Sequence, residues 1–332
     1  MKTFQIASKL EARMYPRLSD LFSDYLGFSL PIPINSFGFM VAVGAMVGAW
    51  LLQKEFDRMY TIGQLNGVKI PDPEQKGKVR KRMVTVSPSF VVGTITMIVI
   101  GVGFLGARLF HILENLDQFF RSPAQMIFTT GGFTFYGGLV LGSYAVVRYV
   151  RKKGLDLGSV ADAMAPGLII AYGIGRIGCH LSGDGDWGVA ADVAAKPDWI
   201  PMWLWAETYP NNILGIDLSM TPVYPTPLYE FAMASVIFAI LWSFRKHAHR
   251  TGWLFWVYLV FNGAERFFIE KIRVNNTMEI LGQPVTQAEL IALALILIGV
   301  IGVVKTWSPG DRDLSTPQQG SGEAGGTTGS GE

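Results

Sequence analysis

Seven stretches of this chain are apolar over about the length of a membrane crossing, and they limit its fold more than any other feature. Spanning the hydrocarbon layer takes about 20 mostly apolar residues as a helix, fewer where flanking side chains snorkel. The stretches run over residues 34–52, 89–113, 134–149, 160–178, 227–244, 252–268 and 287–304, the third and sixth being short. They predict an all-α membrane protein with seven transmembrane helices. Composition agrees: 50% of the 332 residues are hydrophobic and 16% charged, against about 25% charged in a soluble domain. Lys plus Arg is 28 and Asp plus Glu is 26, a net charge of +2. That balance excludes both a highly basic nucleic-acid binder and an acidic disordered scaffold. The single cysteine, Cys179, cannot form an intramolecular disulfide.

Orientation follows from the basic residues, because short Lys/Arg-rich loops stay in the cytoplasm. The first loop carries Lys54, Arg58, Lys69, Lys76, Lys78, Arg80, Lys81 and Arg82; the third has Arg148, Arg151, Lys152 and Lys153, and the fifth Arg245, Lys246 and Arg250. The even loops hold far fewer: Arg121 in the second, Lys196 in the fourth, Lys271 and Arg273 in the sixth. The N-terminus is therefore expected outside and the C-terminus inside. Residues 1–33 lack the compact apolar core and cleavage site of a secretory signal peptide and read as an interfacial segment. Residues 34–304 form the membrane domain, and the Gly/Ser/Thr/Gln-rich stretch within 305–332 reads as a disordered tail. The fourth loop, 179–226, contains Trp187, Trp199, Trp203, Trp205, Tyr209 and Tyr224. It reads as an extracytoplasmic cap, either a headgroup-level aromatic platform or a small unit with its own core.

Gly101, Gly103, Gly106 and Gly173, Gly175, Gly178 both match G-x-G-x-x-G, but they lie inside apolar helical runs. They read as close-packing positions between membrane helices, not as a dinucleotide fingerprint. Charge within the spans carries more information. An arginine at bilayer depth costs at least about 2.5–3.5 kcal/mol on insertion scales, so Arg108, Arg176 and Arg266 need a reason. All three lie near the outer ends of their spans. Tyr136 and Glu230 open spans that descend from the same face, and Glu270 stands one helical turn beyond Arg266, within pairing range. Guanidinium matches phosphate oxygens in bidentate fashion, so a phospholipid headgroup is the expected ligand. Span four ends in Gly175-Arg176-Ile177-Gly178-Cys179-His180-Leu181-Ser182-Gly183-Asp184-Gly185-Asp186-Trp187-Gly188. Its glycines suit an irregular backbone lining a cavity. Asp184 and Asp186 read as turn formers or arginine partners in preference to metal ligands; no metal or cofactor is expected.

At these residues the chain resembles the bacterial prolipoprotein diacylglyceryl transferases. The family signature, opening Gly-Arg-Ile/Leu-Gly and closing Trp-Gly, falls on Gly175 to Gly178 and on Trp187-Gly188. In chain order come Gly106-Ala107-Arg108, Phe135-Tyr136-Gly137-Gly138, Asp162 to Pro166, Pro225 to Glu230 and Arg266 to Glu270. The resemblance implies transfer of a diacylglyceryl group from phosphatidylglycerol to the lipobox cysteine of a preprolipoprotein signal peptide, with release of glycerol phosphate. It implies a multi-pass protein of the bacterial cytoplasmic membrane, its active site toward the outer leaflet. Arg176 would bind the phosphate, Arg266 with Glu270 would form a second polar anchor, and Gly175 and Gly188 would shape the signature turn. Arg108, Glu230, Asp184, Asp186 and Phe37 complete the expected substrate contacts. Three positions depart from the family pattern: Tyr136 replaces a His, Phe37 a Tyr and Cys179 an Asn. The first puts the proton-handling step on Tyr136 or on His180. The alternative is a noncatalytic relative that binds phospholipid or prolipoprotein without turnover; a transporter fits less well, since no internal repeat is evident and the charges gather at one face.

Overall fold

The computed structural model describes residues 14–28, 34–72, 82–128, 133–275, 277–280 and 282–308. The expected tail from 309 onward, most of the N-terminal segment, and Lys76, Lys78, Arg80 and Lys81 lie outside the described residues.

Each of the seven apolar stretches is helical. A short helix α1 (Leu18–Leu26) precedes α2 (Ser36–Thr61), which Asn35 caps by accepting from the Phe37 and Gly38 N–H groups. A hairpin of β1 (Val68–Pro71) and β2 (Met83–Val86) leads to α3 (Val92–Glu114). Two short helices, α4 (Leu116–Arg121) and α5 (Pro123–Phe128), come before α6 (Phe135–Lys152). Then follow α7 (Leu157–Ser182), the small α8 (Met202–Trp205), α9 (Thr226–Phe244) and α10 (Trp253–Glu270). A second hairpin, β3 (Thr277–Ile280) with β4 (Gln283–Thr286), feeds α11 (Gln287–Thr306) through a Thr286/Glu289 capping box. Among the described residues five helices, α2, α3, α7, α9 and α11, are long and apolar enough to cross a membrane. The other two, α6 and α10, are 18 residues each and carry several charges. This is a mostly helical, multi-pass membrane protein.

Helices in lipid gain nothing from hiding apolar surface from each other, so close approach of small residues does the packing. The central α7 meets α2 where Gly44 abuts Ala171 and Gly48 abuts Gly167; a Cβ on Gly44 would lie 2.8 Å from the Ala171 carbonyl oxygen. On its other side Gly173 accepts Ala234 of α9. Gly106 of α3 and Gly137 of α6 touch backbone to backbone, and Gly302 of α11 seats the Trp256 ring of α10. The pair α3–α6 joins α2 and α7 in a buried core at the Lys/Arg-rich end, where Phe56, Val68, Val92, Val150 and Val160 meet.

The reading that span four ends at Gly178 in an irregular segment is corrected. The helix continues to Ser182, and Gly175 and Gly178 are both inside it. Gly178 lets α2 close in at Phe37, and the chain breaks only at Gly183, whose φ of 57° closes the helix in a left-handed cap. Beyond it the aromatic loop divides. Met14, Tyr209 and Val223 form a small core with Trp187 and Leu218 packed on it, whereas Trp199 is 83% exposed and Trp203 is 55% exposed.

Candidate active site

Four elements deliver polar side chains to one buried place. On α7, Tyr172 and Arg176 are four residues apart and share a face, the guanidinium lying 5.2 Å from the ring centre. The N-terminal part of α9 presents Glu230, which is fully buried. The last turns of α10 present Glu265, Arg266 and Glu270. Beyond α10, Arg273 is held by a backbone pairing with Gly188, in which the Val189 N–H donates to the Ile272 carbonyl at 2.8 Å. This pairing leaves no room for a side chain at 188, where a Cβ would lie 2.6 Å from that same carbonyl oxygen.

Glu230 is the hub. Its Oε1 accepts from Arg176 Nη2 at 2.8 Å, from Arg273 Nη1 at 3.3 Å and from the Tyr172 hydroxyl at 3.0 Å, and Arg266 Nη1 stands 3.7 Å away. Its Oε2 is buried with no hydrogen-bond partner. Asp186 bridges two of the same arginines, one oxygen pairing with Arg176 and the other accepting from Arg273 Nη2 at 2.5 Å. Arg266 pairs with Glu270 at 3.0 Å, and Asn275 donates to the other Glu270 oxygen at 2.6 Å. Three guanidinium groups thus face three carboxylates. The Nε groups of Arg176 and Arg273 are buried without an acceptor. An unpaired buried donor is costly, and two of them on arginines in one cluster leave hydrogen-bonding capacity of the kind an anion uses.

Electrostatics of the turn follows from this pairing. Burial opposes the charge on Asp186, but Arg176 and Arg273 outweigh it and hold the carboxyl below the usual range. Asp184 goes the other way: burial, and then the Asp186 carboxylate, push it up, and the weaker pull of Arg176 does not reverse this. Its Oδ1 accepts the Asp186 N–H at 3.3 Å, so it shapes the turn. Cys179, Asp184 and Asp186 place a sulfur and two oxygens within 4.8 Å of one another, yet both Asp186 oxygens are taken by guanidinium.

Other expected residues fall elsewhere. Three arginines do reach one carboxylate, but the third is Arg273, counted from the sequence as a loop residue. Arg108 lies on α3 with its guanidinium 4.5 Å from the centre of the Phe133 ring. Helix depth is readable from sequence, but the choice of lateral neighbour is not. Tyr136 opens α6, 41% exposed, its ring edge-on to Phe135. His180 Nδ1 is 3.2 Å from the Tyr209 hydroxyl, tying α7 to the core of the aromatic loop. Phe37 is in the first turn of α2 and 42% exposed. Gly175 is helical and has no neighbour where a Cβ would stand. Sequence reasoning missed Arg273, Tyr172 and Glu265. The spacing Arg266, Glu270, Arg273 and the pair Tyr172, Arg176 held a signal for two of them.

The family model described as prolipoprotein diacylglyceryl transferase matches residues 26–305. The chain belongs to this family. Among similar proteins, the phosphatidylglycerol–prolipoprotein diacylglyceryl transferase of Corynebacterium diphtheriae is 28% identical over 268 residues, covering 76% of this chain and 90% of the relative. Proteins of the same name from Bacillus cereus and Bacillus cytotoxicus are 23% and 24% identical over 286 residues, each alignment covering 85% of this chain and 92% of the relative. Every polar residue of the cluster lies inside the stretch matched to the prolipoprotein diacylglyceryl transferase family.

Proposed function

We propose that this chain transfers the diacylglyceryl group of phosphatidylglycerol to the lipobox cysteine thiol of preprolipoproteins, the first step of lipoprotein maturation. The observation that carries the reading is the set of three arginines around Glu230, two with a buried Nε donor unspent. In this reading Arg176 and Arg273 hold the lipid phosphate, and Arg266, fixed by Glu270, forms the second anchor. The thiol sulfur attacks the glyceryl carbon; the S–C bond forms as the C–O bond breaks, and its electron pair goes to the phosphate oxygen. Charge developing there meets guanidinium groups already in place, the form of stabilisation that costs least at the moment of reaction. On this proposal the Tyr136 hydroxyl, which opens α6 outside the arginine cluster, is brought to the bound substrates and passes on the thiol proton, giving up its own hydrogen to the departing phosphate as it receives the other. His180 holds the loop through Tyr209.

The same proposal places seven helices across the bacterial cytoplasmic membrane, counting α6 and α10 with the five longer or more apolar ones. The N-terminus is then outside, the C-terminus cytoplasmic, the cluster at the outer leaflet and 179–226 an extracytoplasmic cap over it. Residues 34–304 make the transferase domain.

Membranes carrying the chain, given labelled phosphatidylglycerol and a lipobox peptide, test the reading. Wild type should label the peptide and release glycerol phosphate. Arg176→Ala should lose at least about 100-fold in rate, the scale of one transition-state donor, and Tyr136→Phe should lose less. Activity indifferent to Arg176 would sink the assignment. Saturable lipid binding without glycerol phosphate release would favour a noncatalytic relative, the reading that Tyr136 in place of a histidine keeps in view.

A further inference from the structure

Beneath the arginines, two carboxyl groups face a single hydroxyl. The Tyr172 hydroxyl oxygen lies 3.0 Å from Glu230 Oε1 and 3.2 Å from Glu265 Oε1. Glu230 is fully buried and Glu265 is 4% exposed. A phenol has one hydrogen to give and an ionised carboxylate has none. A full hydrogen bond to each carboxyl, not one hydrogen shared between two repelling anions, therefore requires that one of the two carries a proton. The guanidinium groups crowd Glu230, with Arg176, Arg266 and Arg273 all within 3.7 Å of its Oε1, and none is paired with Glu265. The charge belongs on Glu230 and the proton on Glu265. Hydrogen bonds then run in one direction, Glu265 donating to Tyr172 and Tyr172 to Glu230.

A phosphate ester entering the site competes with Glu230 for the same cations. With three arginines set against Asp186, Glu230 and Glu270, no positive charge is in surplus. We propose that Glu265 is a proton reserve that neutralises Glu230 when a phosphate ester takes the arginines. The Glu265 O–H bond breaks as a new Tyr172 O–H bond forms, and the old Tyr172 O–H bond breaks as Glu230 gains a proton at Oε1. Glu265 is left with the negative charge, one hydroxyl further from the phosphate, and no proton crosses the boundary of the protein. The groups bearing on Glu265 are Tyr172 and Arg176 from α7, Glu230 from α9, and Tyr258 and Arg266 of its own helix. Glu265 is a positioning residue acting through Tyr172, and the idea rests on the reading that these arginines hold phosphate.

The test uses the full chain in lipid nanodiscs and glycerophosphoglycerol, a headgroup phosphodiester that does not titrate near neutrality. Calorimetry in two buffers of different ionisation enthalpy counts protons taken up per probe bound. Wild type should take up none, with affinity flat from about pH 5 to 6.5, where Glu265 keeps its proton. Glu265→Gln should draw one proton from the buffer, so that affinity falls about tenfold per pH unit; Glu265→Asp, which keeps the acid, should restore the flat profile. A residue that only fills space would leave Glu265→Gln flat. That result, a proton taken up by wild type, or no saturable binding by wild type, overturns the proposal. Transfer measured on the same samples separates the two readings. Wild-type binding with the expected linkage but no transfer removes the transferase assignment alone, and transfer with a flat Glu265→Gln profile removes the relay alone.

Discussion

Two carboxylates buried at opposite ends of this bundle are satisfied in opposite ways. Asp162, in the first turns of α7, divides its acceptors among local donors: Oδ1 takes the Phe255 N–H at 2.9 Å, and Oδ2 takes the Gly252 N–H at 2.8 Å with His247 Nε2 at 3.3 Å. Glu230, near the start of α9, has its close partners on one oxygen and none on the other, and all of them are side chains. Backbone donors cannot be re-aimed, so Asp162 staples the α9–α10 turn to α7. Guanidinium groups can rotate toward a new anion, so the Glu230 cluster is assembled but not closed. The difference separates a carboxylate that holds the fold from one that, on the proposed function, holds a place for a ligand.

That contrast can be broken by exchanging the damage. Asp162→Asn turns an N–H toward the α10 backbone and should cost about 2 kcal/mol, the scale of an unsatisfied buried group. It should lower the midpoint of thermal unfolding in detergent while leaving the transfer rate per folded molecule unchanged. A lost rate with full stability would show that Asp162 is no mere staple. A smaller effect is expected at Gly188→Ala. Forcing a Cβ against the Ile272 carbonyl displaces Arg273, and transfer should fall about tenfold, on the scale of a catalytic group misplaced by under an ångström, with little change in unfolding.

The smallest effect is in the acid limb of stability. Asp186 has its carboxyl held down in the folded state, so it stabilises above its unfolded value of about 3.9, and that contribution is lost as pH falls through the lowered folded value. Asp186→Asn should flatten the stability profile below about pH 4. An unchanged acid limb in that variant would show that its arginine pairs add nothing to folding.

The seven helical segments were legible because an uncharged run is a local property. Their ends were less so: α2 continues to Thr61 and α7 to Ser182, since good helix formers carry a helix on past the apolar stretch until a left-handed glycine or an unfavourable turn stops it. Arg176, Arg266, Glu230 and Glu270 were legible as charges with no reason to lie at membrane depth. Arg273 was not, because a pairing with Gly188, remote in sequence, brings it in. Glu265 was hidden beside a more conspicuous arginine. Arg108 shared their depth, yet its helix pairs closely with α6.

Three guanidinium groups against three carboxylates also give the site little field beyond its own walls. Opposite charges a few ångströms apart cancel at distances where an unbalanced patch would still be felt. If the proposed function holds, an anionic lipid drifting in the leaflet is not drawn in from afar, and a zwitterionic one is not repelled. Discrimination begins only when a headgroup touches the arginines, and added salt should leave the frequency of encounters almost untouched.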